Sequence, residues 1–187
     1  MPQRMTRHRL LLGLLTPGLL AGAALTAGPA QADTGIGPLY AEPAWDQKLG
    51  TTQRYLILSN WASAAVLDKE TGLVWERSPA TTPHNWAAAR LQCTARTTGG
   101  RKGWRLPSIV ELASLTNPSV PPPGPVLHVN HPFIGVQSAS YWSATSSARV
   151  STLAWGVGFG NGIVDIDGKA GGGHAWCVRG GMNADAY

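Results

Sequence analysis

The sequence predicts an α+β fold of short antiparallel strands, two helices and long loops, and three observations carry that expectation. Short β-branched and aromatic runs bounded by turn residues recur between Arg54 and Arg179. Helix-start signals stand at Thr82 and at Ser108. The 187 residues include 23 Gly and 14 Pro, a composition that suits turns and loops better than a helical bundle.

The amino-terminal 32 residues read as a leader rather than as part of that fold. Arg4, Arg7, His8 and Arg9 make a positive start, Leu10 to Leu20 an apolar core, and Ala30-Gln31-Ala32 a small-x-small site before Asp33. This succession is expected of a secretory signal peptide cleaved after Ala32. The competing reading is a retained anchor, which Gly13, Pro17, Gly18 and Gly22 oppose. No cysteine follows the cleavage site, so no lipid anchor is indicated. No other segment is apolar for long enough to span a bilayer.

Removing residues 1–32 leaves 155, the size of one domain with a sizeable core. Three arginines and no acidic residue lie in the leader, so the formal charge of +5 falls to +2 for the remainder. A wholly basic surface of the kind that coats nucleic acid is excluded, and no nucleic-acid partner is expected. Eight tryptophans and 43% hydrophobic residues exclude wholesale disorder.

The elements follow in order. Residues 33–52 lack periodic apolar positions and are expected to form a loosely held arm, with the domain occupying 53–182. Arg54 to Ser59 reads as a strand. Ala65–Asp68 and Leu73–Glu76, joined by the polar, glycine-ended stretch Lys69 to Gly72, read as a hairpin. Thr82 as N-cap and Pro83 at the first helical position predict a helix whose inner face holds Trp86, Ala89 and Cys93. Ser108 and Glu111 have the spacing of a capping box and start a second helix, with Ile109, Leu112 and Ala113 inward.

Residues 116–140 contain six prolines and form a long loop, which in a compact domain points to function or mobility. Strands are expected again at Tyr141–Thr145, Leu153–Phe159, Ile163–Asp167 and Ala175–Arg179. Asn161-Gly162 marks a tight turn between the middle two. In an exported chain the two cysteines, Cys93 and Cys177, read as one disulfide; two buried free thiols are the alternative. A metal site from these two alone is not supported, because neither has a second Cys or His at ligand spacing.

Several of these blocks together resemble a known family. Asp68 to Trp75 (DKETGLVW), Trp86 to Cys93, Gly103 to Ser108 followed by Glu111-Leu112, Tyr141 to Thr145, and the closing Trp176-Cys177-Val178-Arg179 are similar, in order and spacing, to the Lcl carboxy-terminal domain family of exported bacterial proteins. The resemblance covers about residues 66–180. It implies a C-type-lectin-like fold: two helices flanking a twisted antiparallel sheet, long loops, and a disulfide from the first helix to a late strand, which Cys93 and Cys177 fit. Founding members resemble surface adhesins that bind sulfated glycosaminoglycans from a collagen-like stalk. This chain has no Gly-X-Y repeat, so the stalk does not carry over.

Fold does not settle the ligand, so candidate sites must be argued from residues. Arg90, Arg96, Arg101, Lys102 and Arg105 follow one another with no acidic residue from Ser78 through Val110. Arginine forks match sulfates and carboxylates, which makes a polyanionic glycan the expected partner of Arg90, Arg96, Arg101 and Lys102. Arg105 lies in the Trp-Arg-Leu-Pro block and is expected to be structural, and the whole run is also consistent with an ordinary solvated face.

Asp165 and Asp167 are a weak calcium candidate, because alternate strand positions also simply share one solvent face. The Glu-Pro-Asn, Gln-Pro-Asp and Trp-Asn-Asp motifs of calcium-dependent sugar binding are absent. His128, His131 and His174 are a weaker metal candidate. Trp45 and Trp61 lie outside the family blocks and are the freer candidates for stacking on sugar.

No cofactor is expected. The enzymatic precedent on the implied fold, the formylglycine-generating oxidase, needs a pair of active cysteines, and here the bridge takes both. Ser143 or Ser146 as a hydrolytic nucleophile lacks a Gly-x-Ser-x-Gly elbow. The resulting expectation is an exported, non-catalytic module that binds a glycan or polyanionic polymer. The alternatives are a partner-binding envelope protein whose proline loop docks a protein, and an enzyme of unassigned chemistry.

Overall fold

A computed structural model describes residues 49–181. The expected signal peptide, most of the expected arm, Trp45 and residue 182 lie outside the described residues. Within them the chain is mixed α and β, with two antiparallel sheets and one disulfide. Among the described residues no helix is long and apolar enough to cross a membrane.

The first sheet has the order β1-β2-β3-β7, where β1 is Tyr55–Ile57, β2 Ala65–Asp68, β3 Leu73–Glu76 and β7 Val178–Arg179. The β2–β3 hairpin has the expected limits, with Ala65 opposite Glu76 and Asp68 opposite Leu73. All eight of its residues are buried, because this central pair is covered on both faces. The strand expected from Arg54 is shorter. Arg54 closes a single helical turn, α1 (Thr51–Arg54), which directs its guanidinium onto Asp68. The last expected strand is shorter too: Ala175 and Cys177 spend their carbonyls on the amides of Ala80 and Glu76, and only Val178 and Arg179 join the ladder.

The second sheet has the order β4-β5-β6: Ser140–Ser146, Leu153–Gly158 and Val164–Gly168. Asn161-Gly162 lies in the turn between β5 and β6, with Gly162 at φ 77°, where glycine carries no Cβ penalty. The β4–β5 register shifts between Trp142 and Ser146. There the buried Ser143 hydroxyl donates to the Trp155 carbonyl at 2.7 Å and accepts from the Thr145 amide, replacing ladder bonds with side-chain ones.

The first long helix, α2, runs Trp86–Ala95 and starts three residues later than Thr82-Pro83 predicts. Residue 84 is already committed elsewhere, since His84 exchanges backbone bonds with Gly173 in an antiparallel bridge. The cap is Asn85, whose side chain accepts from the Ala88 amide at 2.9 Å. Ala89 and Cys93 face inward as expected. The second helix, α3 (Ile109–Ala113), begins at Ser108 with both halves of the capping box formed.

Two apolar clusters meet along β3 and the segment before β7. One surrounds Cys93 and Cys177 with Trp61, Trp104 and Trp142; the other gathers Trp75, Trp176, Tyr141, Phe159 and Phe133. Rings in the second meet edge to face, as in Phe133–Trp176 at 4.9 Å and Trp75–Trp176 at 5.8 Å. The disulfide joins α2 to the residue before β7 with the Cα atoms 5.3 Å apart.

Candidate functional site

The basic run does not form one patch; the fold divides it. Arg90, on the exposed side of α2, lies over the Trp86 ring at 4.7 Å, and Lys169 approaches the same ring at 4.2 Å. Trp86 is fixed beneath them by its indole N–H, which donates to the Ser143 carbonyl at 2.8 Å. Arg101 and Arg179 lie over Trp61 at 5.5 and 5.7 Å, and the Arg179 Nε–H donates to the Lys102 carbonyl at 2.8 Å. Arg90, Arg101 and Lys102 are exposed and form no ion pair among the described residues. Indole faces hold such cations by cation–π attraction and limit the freedom their side chains must lose on binding.

Trp61 itself is buried, at 4% exposure, rather than free to stack on a sugar. It meets Trp104 edge to face at 6.4 Å, and Gly99 covers it closely. A Cβ on Gly99 would stand 2.7 Å from Trp61 Cβ, so only glycine fits at this φ of 65°. Arg105 pairs with Glu111 at 2.6 Å and donates to the Gly180 carbonyl, which makes it a structural group, as its position in the family block implies.

Arg96 behaves differently from its neighbours. It turns inward to Glu76, with Nε 3.2 Å from Oε1, while the Thr98 hydroxyl donates to the same oxygen at 2.7 Å. The close charges are not aligned as a hydrogen bond, and Arg96 Nε and Glu76 Oε2 both remain buried without hydrogen-bond partners. Burial pushes the Glu76 carboxyl above its ordinary range, against the opposing pull of Thr98, Arg96 and the backbone at Cys177. Glu76 lines a cavity of about 220 Å³ together with Ser63, Ala64, Arg77, Ser78, Thr98 and Ile134. Spacing in the sequence carries no sign of this site, because it brings together residues from the hairpin, the turn after α2 and the proline loop.

A second cleft, of about 200 Å³, opens on the β4–β6 sheet beside Gly172 and Gly173 and includes Asp165 and Asp167. Glycines let the backbone form its floor: a Cβ on Gly156 would meet the Tyr141 carbonyl at 2.8 Å, and one on Gly173 the Trp142 indole at 2.8 Å. Both carboxylates are exposed, and Asp165 Oδ1 is partly used by the Ile166 amide. No group of three or more metal-ligating side chains occurs among the described residues.

The three histidines separate. His174 is buried and its Nδ1 lies 3.1 Å from the Ala80 carbonyl, whereas His128 and His131 sit in the proline loop, His131 stacked on Phe133 at 5.9 Å. His128 Nε2 and His131 Nδ1 are buried without hydrogen-bond partners. Burial holds both imidazoles below their ordinary range; Arg54 adds to the effect at His128 and His128 adds to it at His131.

None of the curated proteins matches the chain. The family model described as the Lcl C-terminal domain matches residues 64–179, a span running from the start of the β2–β3 hairpin to β7 and including both half-cystines and the whole basic run. That span is more than half of the 187 residues, and the chain belongs to the Lcl C-terminal domain family.

Proposed function

We propose that this protein is an exported, non-catalytic binding module of C-type-lectin-like fold that recognises a glycan or another polyanionic surface polymer. The observation that carries this reading is the pair of cation-bearing indoles. Arg90 and Lys169 over Trp86, and Arg101 and Arg179 over Trp61, are held in place without using up their charge on carboxylates among the described residues. Sulfate or carboxylate groups on a polymer supply the missing counter-charge. Arg96 is set apart from the contact set because Glu76 already engages it. A disulfide joining the long helix to a late strand, with antiparallel sheets beside it, supports the fold. The charged and apolar leader, together with that disulfide, supports export.

Heparin-agarose chromatography tests the polyanion reading. The wild-type protein should be retained at low ionic strength and released by salt, since screening shortens to about 8 Å at physiological ionic strength. Replacing Arg90, Arg101 and Lys102 by Ser should shift release to much lower salt with the thermal midpoint nearly unchanged, because exposed substitutions cost little stability. Passage of the wild-type protein through heparin at low salt would sink the reading.

A further inference from the structure

We propose that the free edge of β6 accepts an extended segment of a protein partner, with basic side chains at alternate positions, as a fourth strand of the β4–β5–β6 sheet. The site is separate from the cationic surfaces and opposite to them in sign. β6 pairs with β5 and has no strand on its other side among the described residues. Its odd-numbered residues turn their backbone to β5: the Ile163 carbonyl accepts from the Gly158 amide at 2.8 Å, and the Lys169 amide donates to the Thr152 carbonyl at 2.8 Å. Alternation therefore turns the backbone groups of Val164 and Ile166 outward. The Ile166 amide donates to a local acceptor, Oδ1 of Asp165 at 2.7 Å, which an incoming carbonyl can replace. An exposed row of this kind is a template for a further strand.

Side chains on the two faces of this edge select the partner. Ile163, Asp165 and Asp167 line the glycine-floored cleft, where Asp165 lies opposite Gly156 and Asp167 opposite Ala154. Neither aspartate belongs to an ion pair among the described residues. Lys169, the nearest cation along the chain, turns instead to the Ser151 carbonyl and the Trp86 ring. An added residue opposite Asp165 or Asp167 therefore meets an exposed carboxylate with no counter-charge, and the cleft beside it has room for the stem of a lysine or arginine. On the other face Val164 and Ile166 are 43% and 37% exposed, so apolar residues suit the positions opposite them. A second copy does not fit this edge. Pairing β6 with β6 about Ile166 sets Asp165 against Asp167, and a two-residue slip either way sets Asp165 or Asp167 against itself. Residues 33–48 and 182–187 do not supply the cations either, since they carry Asp33, Glu42, Asp46 and Asp185 against Lys48 alone.

The test is a titration of the full-length protein, followed by amide NMR, with the capped peptide acetyl-TKVKVKT-amide. Two of its lysines lie opposite the aspartates when its valines lie opposite Val164 and Ile166. Saturable shifts are expected at Val164, Ile166 and Gly168. Methylating both valine amides removes the donors that face β6 but keeps every charge, and should lower affinity about tenfold or more. The peptide acetyl-TEVEVET-amide should not bind, because it sets like charges opposite one another. Asp165→Asn/Asp167→Asn should weaken binding by about two- to thirtyfold, the range that two cross-strand charge pairs carry. Both positions are exposed, so the thermal midpoint should hardly move. No saturable shift at millimolar peptide, equal binding of the methylated peptide, or full affinity in the double Asn variant overturns the proposal. The same shifts on raising protein concentration without peptide overturn it in favour of a second copy. Heparin retention distinguishes it from the polyanion reading: the double Asn variant should be retained at least as strongly as the wild type, and the triple Ser variant should keep its peptide shifts.

Discussion

Asp68 lies opposite Tyr55 in the ladder and accepts both arms of the Arg54 guanidinium, Nε at 2.9 Å and Nη2 at 2.7 Å. Both side chains are buried, and Arg54 also approaches Glu70 at 3.4 Å and donates to the Ser114 carbonyl. A buried pair returns little net stability against a hydrophobic replacement, but removing one partner leaves the other charge stranded. Asp68→Ala is therefore expected to destabilise the protein by about 3–5 kcal/mol in urea unfolding at neutral pH. A loss no larger than that of an exposed pair, about 0–1 kcal/mol, would show that water or Glu70 takes over the guanidinium. The Ser108–Glu111 capping box is legible in the sequence, because both partners sit within one turn. The Arg54–Asp68 pair is not, because it depends on the register of two strands.

The start of α2 illustrates how an element can be right while its boundary is wrong. Thr82-Pro83 has good helix-start chemistry, but the His84–Gly173 bridge holds residue 84 extended and hands the cap to Asn85. Asn85→Ala should cost about 1 kcal/mol in thermal unfolding, and Thr82→Ala much less. Equal losses would place the functional cap back at Thr82. The other end of the element's role is its tie to the segment before β7. Cys93 and Cys177 are separated by 84 residues, so in the chain-entropy description the bridge contributes about 4–5 kcal/mol by restricting the unfolded chain. A Cys93→Ala/Cys177→Ala variant should unfold at correspondingly lower denaturant, and reductant should lower the wild-type midpoint but not that of the variant.

Among the described residues, the partly and fully buried titratable groups set opposing responses to pH. The depressed His128 and His131 take up protons more readily in the unfolded chain, so their contribution is complete above the ordinary imidazole value of about 6.5 and is lost as pH falls through the lowered folded values. Glu76 has the opposite sign: its raised folded value gives a contribution present below the ordinary carboxylate value and lost as pH rises through the raised one. Arg54, Asp68 and Glu70 face His128, so its charge state is coupled to the buried ion-pair group. Acidification from about pH 7 toward about pH 5 should lower the wild-type melting midpoint more than that of His128→Asn/His131→Asn. Glu76 is common to both proteins, so the difference isolates the imidazoles. Parallel curves would remove the histidines from the acid response.

The sequence by itself determined the features that depend on short separations. These are the α+β class, the β2–β3 hairpin with its glycine-ended turn, the capping box at Ser108, the Asn161-Gly162 turn and the long proline loop. Each is set by residues a few positions apart, where backbone sterics and local hydrogen bonds already favour one conformation. The paired cysteines were legible for another reason: under the proposed reading of an exported chain, two such residues have few alternatives. Tertiary structure alone decided which cations stay exposed. Arg90 and Arg96 sit on or just beyond one helix, yet one rests on Trp86 with Lys169 and the other turns in to Glu76. It also decided that Trp61 would be covered by Gly99, and that Ser63, Glu76, Thr98 and Ile134 would line one open depression. Those outcomes depend mostly on contacts between residues far apart in the chain, whose energies exist only once the sheets and the disulfide have closed the chain around them.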